Sequence, residues 1–565
     1  MFTKRNRNLI IIFIFFPLVF IIAYLCSLNF RNQESNLTMA TSATSSDREK
    51  VLTKQNITPI TAHDEEEPAS DLKDESSVTT PVPSPANSTP TTDASSSTIG
   101  TQSVPQSDRE EKFQQSNSLT SVTDDPVSTF ALDVDTASYT LARKYINMGA
   151  LPPAEVVRVE EFVNYFNYNY ETPLDDVFNI HIEAAPSRWQ TSMSGRRHIV
   201  QVGIQGRSID NTDRPDVVLT LVIDISGSME DTDRLPLVKE SLRLLVRELR
   251  STDRIGIVVY SDDARVELEH VNGSHQELIL NIIDSLQTEE STNTVAGLQL
   301  GYEQANKYFE DKAINRIILS SDGIANVGAI YPEDILELAR QNSRRDIFLT
   351  TIGFGMLDYN DYLMERLAND GDGQSIYVDS ISAAERFLME QLSDTLQTIA
   401  RDAKVQIEFN PDVIENYRLL GYENRAIADS SFRDPSIDAG EVGAGHSVTA
   451  LYDVAFIEPL QEQQIALTAT ILYKNPQTGN TYEAEQMFST DQIKSEFAYT
   501  SPRYQLAIAV AAFADWLREG DFTSRIPIEQ LRFEAERISD SELFYGNSDV
   551  QQFVLLVNQA SKIKQ

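Results

Sequence analysis

Apolar and polar positions divide the chain into stretches of different period. Leu9 to Leu28, LIIIFIFFPLVFIIAYLCSL, is an apolar run without a charge. As a helix it would be about 30 Å long, enough to cross a bilayer, and Pro17 is tolerable in such a helix. From 29 to 125 the apolar signal vanishes. VTTPVPSPANSTPTTDASSST and the acidic Asp64 to Glu67 offer almost nothing to bury, so this stretch is expected to be an extended, disordered tether. Order is predicted again from Pro126: a strand at Ser128 to Val134, a helix at Ala137 to Met148 stopped by Gly149, a turn at Pro152 and Pro153, and a second helix from Ala154 to Phe166.

After a predicted strand at Phe178 to Ala184, continuous apolar runs alternate with helical patterns from about His198 to Ala400. The runs are HIVQVGI, VVLTLVIDI, RIGIVVYS, RIILSSDG and IFLTTIGFG. Between them Leu235, Val238, Leu242, Leu245, Val246 and Leu249 recur at helical spacing, with Pro236 in the first turn where it is allowed. Helices near Val295 to Tyr308 and Pro332 to Asn342 repeat the pattern. Unbroken apolar strands alternating with helices predict an α/β fold, a doubly wound, mostly parallel sheet covered on both faces. Ligands of such sheets bind beyond the carboxyl ends of the strands.

The C-terminal part changes period again. Val405 to Phe409, Tyr417 to Tyr422, His446 to Phe456, Gln464 to Lys474 and Thr481 to Phe488 alternate as antiparallel strands do. Helices follow at Tyr504 to Glu519, Pro527 to Arg537 and Val550 to Ile563. The stripe of Leu506, Val510, Phe513 and Leu517 reads as core rather than membrane-active. The strand near Ile180 is expected to join this C-terminal sheet, which would make the α/β domain an insertion into a sandwich. The organisation expected is therefore a cytoplasmic N-terminus (1–8), a transmembrane anchor (9–28), a tether (29–125), an N-terminal accessory segment (126–197), the α/β domain (198–400) and a β-sandwich-like plus helical domain (401–565).

Charge narrows the function. Of the 565 residues, 47 are Lys or Arg and 85 are Asp or Glu, a net charge of −38. Such a surface repels phosphate backbones and argues against nucleic acid as a partner. The single cysteine, Cys26, lies in the apolar N-terminus, so no intramolecular disulfide or thiolate metal site is available. His270 and His275 do not match a zinc spacing. Lys4, Arg5 and Arg7 precede the apolar run and favour a cytoplasmic N-terminus with the bulk on the extracytoplasmic or periplasmic side. A cleaved signal lacks a clear small-x-small site, and Tyr24 and Leu25 are bulky for a lipobox ending at Cys26, so an uncleaved single-pass anchor is expected.

The candidate chemistry lies at the end of VVLTLVIDI. Asp224 is followed by Ser226 and Ser228 with Gly227 between them. Carboxylate and hydroxyl oxygens at alternating positions suit a hard cation such as Mg²⁺. Asp322, in LSSDG, falls at the carboxyl end of its own strand, and Thr292, in ESTNTVAGL, precedes a helix. These three pieces, in this order and context, resemble the metal-ion-dependent adhesion site of von Willebrand factor type A (VWA) domains. The resemblance implies that Asp224, Ser226, Ser228, Thr292 and Asp322 coordinate Mg²⁺ (or Mn²⁺ or Ca²⁺), directly or through water. A metal held by only two carboxylates and neutral hydroxyls stays electron-poor and takes an outside oxygen, such as a carboxylate of a partner protein. That is a binding device rather than an enzyme. Two features depart from the pattern: Thr288-Glu289-Glu290-Ser291 stands where small residues are usual, and Glu230, Asp231 and Asp233 add negative charge nearby.

The segments STFALDVDTASY, LPP and VRVEEFVNYF before the α/β domain, and EFNP, YRLLGYENR and DAGEVGAGHSVTALY after it, resemble YfbK-type bacterial envelope proteins. That resemblance implies a VWA domain between a family-specific N-terminal segment and a C-terminal domain of unknown function. Members often carry a lipoprotein signal, where this chain has an apparent anchor. The expected role is adhesion or surface-complex assembly on the cell envelope. The alternatives are a scaffold or chaperone adaptor for an ATPase-linked assembly, a hydrolase in the C-terminal domain, and a Mg²⁺-dependent phosphatase using Asp133 and Asp135. For the last, Ala137 replaces the expected Thr or Val, and Asp135 or Thr136 is better read as a cap of the following helix.

Overall fold

The computed structural model describes residues 117–564, apart from 133–134, 193–194, 210–213, 324–331, 356–360, 392–397, 436, 438, 521 and 523–525. The expected anchor and most of the expected tether lie outside the described residues. Among the described residues, no helix is long and apolar enough to cross a membrane.

Two sheets form a sandwich. One has the order β1 (Thr120–Ser121), β12 (Ile414–Leu419), β14 (Ser447–Phe456), β4 (Gly195–Gly206), β3 (Phe178–Ser192). The other has the order β13 (Glu441–Gly443), β11 (Thr398–Phe409), β15 (Ile465–Lys474), β16 (Thr481–Ser489), with β2 (Val127–Ala131) also on β11. Phe130, Ile180, Val202, Val405, Ile407, Tyr452 and Ile471 fill the space between the sheets. The outer face of the first sheet is covered by helices α1 (Ala137–Asn147), α2 (Val159–Asn164), α9 (Pro502–Leu517), α10 (Ile528–Ser539) and α11 (Ser548–Ile563), through Ile199, Ala185 and Leu451.

The third sheet runs β10 (Ser375–Tyr377), β9 (Ile347–Gly353), β8 (Ile314–Ser321), β5 (Val217–Asp224), β6 (Arg254–Tyr260), β7 (Ala264–Asn272). All neighbours are parallel except β7, which is antiparallel to β6. Helices α3 (Leu235–Glu248), α4 (Gln276–Ser285) and α8 (Ile381–Glu385) cover one face. Helices α5 (Thr294–Lys307), α6 (Pro332–Ser343) and α7 (Asp361–Asp370) cover the other. Every residue of β5 is buried, as expected of a strand packed on both faces.

The sequence flanks of this α/β unit pair with each other. β4 and β14 run antiparallel in register from Gln205↔Ser447 to Arg197↔Ala455, and β2 pairs with β11. The α/β unit is thus an insertion into the sandwich, as expected. Four expectations are corrected. HIVQVGI is not a strand of the α/β sheet; it is β4 of the sandwich. It reads as an unbroken apolar run because helices bury its second face too: Val200 and Val202 point into the sandwich and Ile199 meets the helices. Residues 117–125 belong to the folded part and not to the expected tether, since Val122 is buried, β1 pairs with β12, and the Asn117 amide donates to the carbonyls of Leu419 and Gly421.

The helix expected over 154–166 is broken. A 3-10 turn covers Ala154–Val156, Arg158 is extended, and α2 starts at Val159. Arg158 is held there by its amide bond to the Ser138 hydroxyl and by its guanidinium on Glu161 and Glu365. Finally, neither Asp135 nor Thr136 caps α1 through its side chain. Thr136 occupies the N-cap position without a side-chain bond. Asp135 accepts from the Ser375 amide at 2.8 Å and from Arg425 at 2.6 Å, joining the accessory segment to β10 and to the sandwich.

Candidate metal site at the carboxyl ends of the central strands

β5 delivers Asp224 to the top of the sheet, and a 3-10 turn, Gly227–Glu230, begins at once. Asp224 is fully buried. Its Oδ1 accepts from the Ser226 amide at 2.9 Å. Its Oδ2 accepts from the Ser321 hydroxyl at 2.8 Å and the Tyr260 hydroxyl at 3.1 Å. Tyr260 ends β6 and Ser321 ends β8, so three neighbouring strands converge on one carboxylate. The Ser226 and Ser228 hydroxyl oxygens are 3.0 Å apart.

Asp322 follows β8 directly and is also buried. Arg234, just before α3, donates to Asp322 at 2.6 Å and to the Ser228 carbonyl, so it ties the second carboxylate to the turn. Thr292 is half-buried in the loop between α4 and α5. That loop is fastened to the site by the Glu289 amide, which donates to the Ile225 carbonyl at 2.6 Å. Asn293 caps α5 by accepting from the Ala296 amide. Among the described residues, no hydrogen bond joins the Thr292 side chain to the other four candidates. Asp224, Ser226, Ser228 and Asp322 therefore form one bonded cluster, and Thr292 reaches it through its loop.

Burial pushes the Asp224 carboxyl above the usual carboxylate range, and Asp322 adds to this by repulsion, against the opposing hydrogen bonds from Ser226 and Ser321. Among the described residues no Lys, Arg or His forms an ion pair with Asp224. A buried carboxylate without a cationic side chain, beside two hydroxyls and a second carboxylate, is the donor set a hard divalent cation takes. The residues present fit the implied metal. The flanking glutamates differ. Glu289 accepts from the Ser261 hydroxyl and pairs with Arg265, and these bonds hold its carboxyl below its ordinary value. Glu290 is exposed.

Three participants escaped the sequence reading: Tyr260, Ser321 and Arg234. Arg234 had a signal. A cation at a helix N-terminus opposes the helix dipole, so Arg234 before Leu235-Pro236 needed a nearby anion. The phosphatase alternative finds no support in Asp135, whose carboxylate is engaged with Arg425 and the Ser375 amide; Asp133 lies outside the described residues.

Comparison with known proteins assigns three regions. The model described as von Willebrand factor type A domain matches residues 218–392. One described as von Willebrand factor matches 106–194, and one described as Uncharacterized protein YfbK, C-terminal, matches 394–563. The chain is 40% identical over 355 residues to Uncharacterized protein YfbK of Escherichia coli (strain K12), covering 61% of each. It is 32% identical over 171 residues to inter-alpha-trypsin inhibitor heavy chain H3 of Homo sapiens, covering 29% of this chain and 19% of that one. The match therefore spans less than two thirds of the length of either relative. The solved structure of von Willebrand factor type A from Catenulispora acidiphila aligns with a TM-score of 0.40 and 17% identity, covering 67% of this chain and 90% of that one. The chain is a YfbK-like protein that carries a VWA domain and a YfbK C-terminal domain.

Proposed function

We propose that this protein is a binding module of the cell envelope rather than an enzyme. Its VWA domain takes a divalent cation, Mg²⁺ or Mn²⁺ or Ca²⁺, at Asp224, Ser226, Ser228, Thr292 and Asp322. Through that ion it binds a carboxylate of a protein partner. The observation that carries this reading is Asp224, a buried carboxylate at the strand ends with hydroxyl neighbours and no cationic side chain paired to it among the described residues. When bound, the metal supplies a Lewis-acidic position for an outside oxygen. The chain holds Asp224 in place, presents the two serine hydroxyls together, and brings the Thr292 loop onto the turn.

In this reading residues 9–28 anchor the chain with its N-terminus in the cytoplasm, and the folded part acts outside. The test is a pull-down from envelope extract with and without chelator, comparing the native protein with Asp224→Ala. Partners lost on chelation and in the variant support the reading. Partners retained in every lane contradict it.

A further inference from the structure

Arg234 is an unusual neighbour for a cation site. It is buried, at 7% exposure, and stands at the N-terminus of α3, where the helix dipole disfavours a positive charge. Its guanidinium is fixed by the Asp322 carboxylate and the Ser228 carbonyl. Gly355 lies against it with φ +72°, and a Cβ there would come within 2.5 Å of the Arg234 Nε. The backbone after β9 thus makes room for this side chain. Nearby anions are accounted for separately: Asp233 pairs with Lys144 of α1, and Asp231 is exposed, 4.0 Å from Nε.

We propose that Arg234 is a positioning residue that sets the charge of the metal site and so makes it select an anionic partner. This rests on the metal reading above. With both carboxylates ionised, Asp224 and Asp322 carry two negative charges and Arg234 cancels one. A divalent cation then leaves the cluster with a single net positive charge, which one incoming carboxylate neutralises. Without Arg234 the loaded cluster is neutral and has no electrostatic preference for an anion. Arg234 also repels the cation, so the site trades metal affinity for ligand selectivity. The flanking Glu230, Asp231 and Glu290 are exposed and screened by water, whereas Arg234 acts from the low-dielectric side.

The test uses the folded chain with Mn²⁺ as the metal probe and acetate as the carboxylate probe. Mn²⁺ affinity is read by calorimetry, and acetate uptake by its effect on water-proton relaxation at the bound Mn²⁺. Arg234→Gln is expected to bind Mn²⁺ roughly tenfold more tightly and to lose the acetate response. Arg234→Lys, which keeps the charge, is expected to behave as the native protein in both. If Arg234 merely held Asp322 in place, the Gln variant would bind Mn²⁺ more weakly, and that result, or an unchanged affinity, overturns the proposal. Should Arg234→Gln fail to fold, the Lys variant decides: native-like Mn²⁺ affinity and acetate response support the proposal, and loss of either overturns it. No Mn²⁺ uptake by the native protein would instead remove the metal reading itself.

Discussion

Asp224 shows how a single buried carboxylate is held by neighbours on other strands. Tyr260 reaches it from β6 and Ser321 from β8. Tyr260 is itself positioned by Gly297, because α5 packs so closely on β6 that a Cβ at 297 would overlap the tyrosine ring. Gly297→Ala must displace either the helix or the ring. It is expected to cost about 1–3 kcal/mol in urea unfolding and to weaken metal uptake, since the Asp224 contact moves with the ring. His270 belongs to a different setting. Its ring stacks on Tyr308, bonds to Thr220, and has Glu269, Arg254 and Lys307 as charged neighbours. Burial pushes it down to about 4 from 6.5.

The neutral His270 ring is favoured in the folded state. Its contribution is therefore complete above about pH 6.5 and is lost as pH falls toward about 4. For a ring still partly in contact with solvent, the loss is about 1–2 kcal/mol. The difference in unfolding free energy between the native protein and His270→Gln should shrink by that amount between pH 7 and pH 4, and a difference independent of pH would contradict it. At this scale the sequence displayed Asp224, Ser226 and Ser228 in one short stretch. It hid Tyr260, whose partner is distant in sequence, and it marked Arg234 only as a cation in need of an anion, without saying that the anion is Asp322.

At the scale of elements, period alone separated strands from helices well where only one kind of burial was present. It failed at β4, where burial on both faces of an antiparallel strand imitates a parallel-sheet strand. Helix α9 gave a related surprise. Its expected core stripe is real, but the helix is buried nearly all round, from Tyr504 to Asp515 without a break, because sheet, α2, α10 and α11 enclose it. Helix α1 was legible from its spacing, but its destination was not. Its Arg143 is buried beside the stacked rings of Tyr139 and Tyr165 and makes a two-point bond to Asp379, which follows β10. Arg143→Met would leave Asp379 buried without its cation, and a loss of about 3–5 kcal/mol in equilibrium unfolding is expected. A loss below about 1 kcal/mol would show that the pair is effectively solvated.

For the whole molecule, the consequence of these ion pairs is that the inserted domain is held rather than hung. Asp135 to the Ser375 amide, Arg158 and Arg425 to Glu365, and Arg143 to Asp379 all cross between the accessory segment or sandwich and the α/β unit. Lys144 also reaches Asp233, next to the arginine at the candidate site. Calorimetric unfolding of residues 117–565 should therefore show one cooperative transition, and Asp135→Asn combined with Arg143→Met should split it in two. Two transitions in the native protein would contradict this coupling. The insertion itself was foreseeable from the alternation near Ile180 and in the C-terminal strands. The boundary was not, because nothing in an apolar run says which sheet it joins.

The central claim is that residues far apart in the sequence bind one divalent ion. The most direct measurement is calorimetric titration of the soluble chain with Mg²⁺ and Mn²⁺, repeated on Asp224→Ala. One saturable site in the native protein, absent from the variant, is the predicted result. No saturable uptake by the native protein, or equal uptake by both, would contradict it.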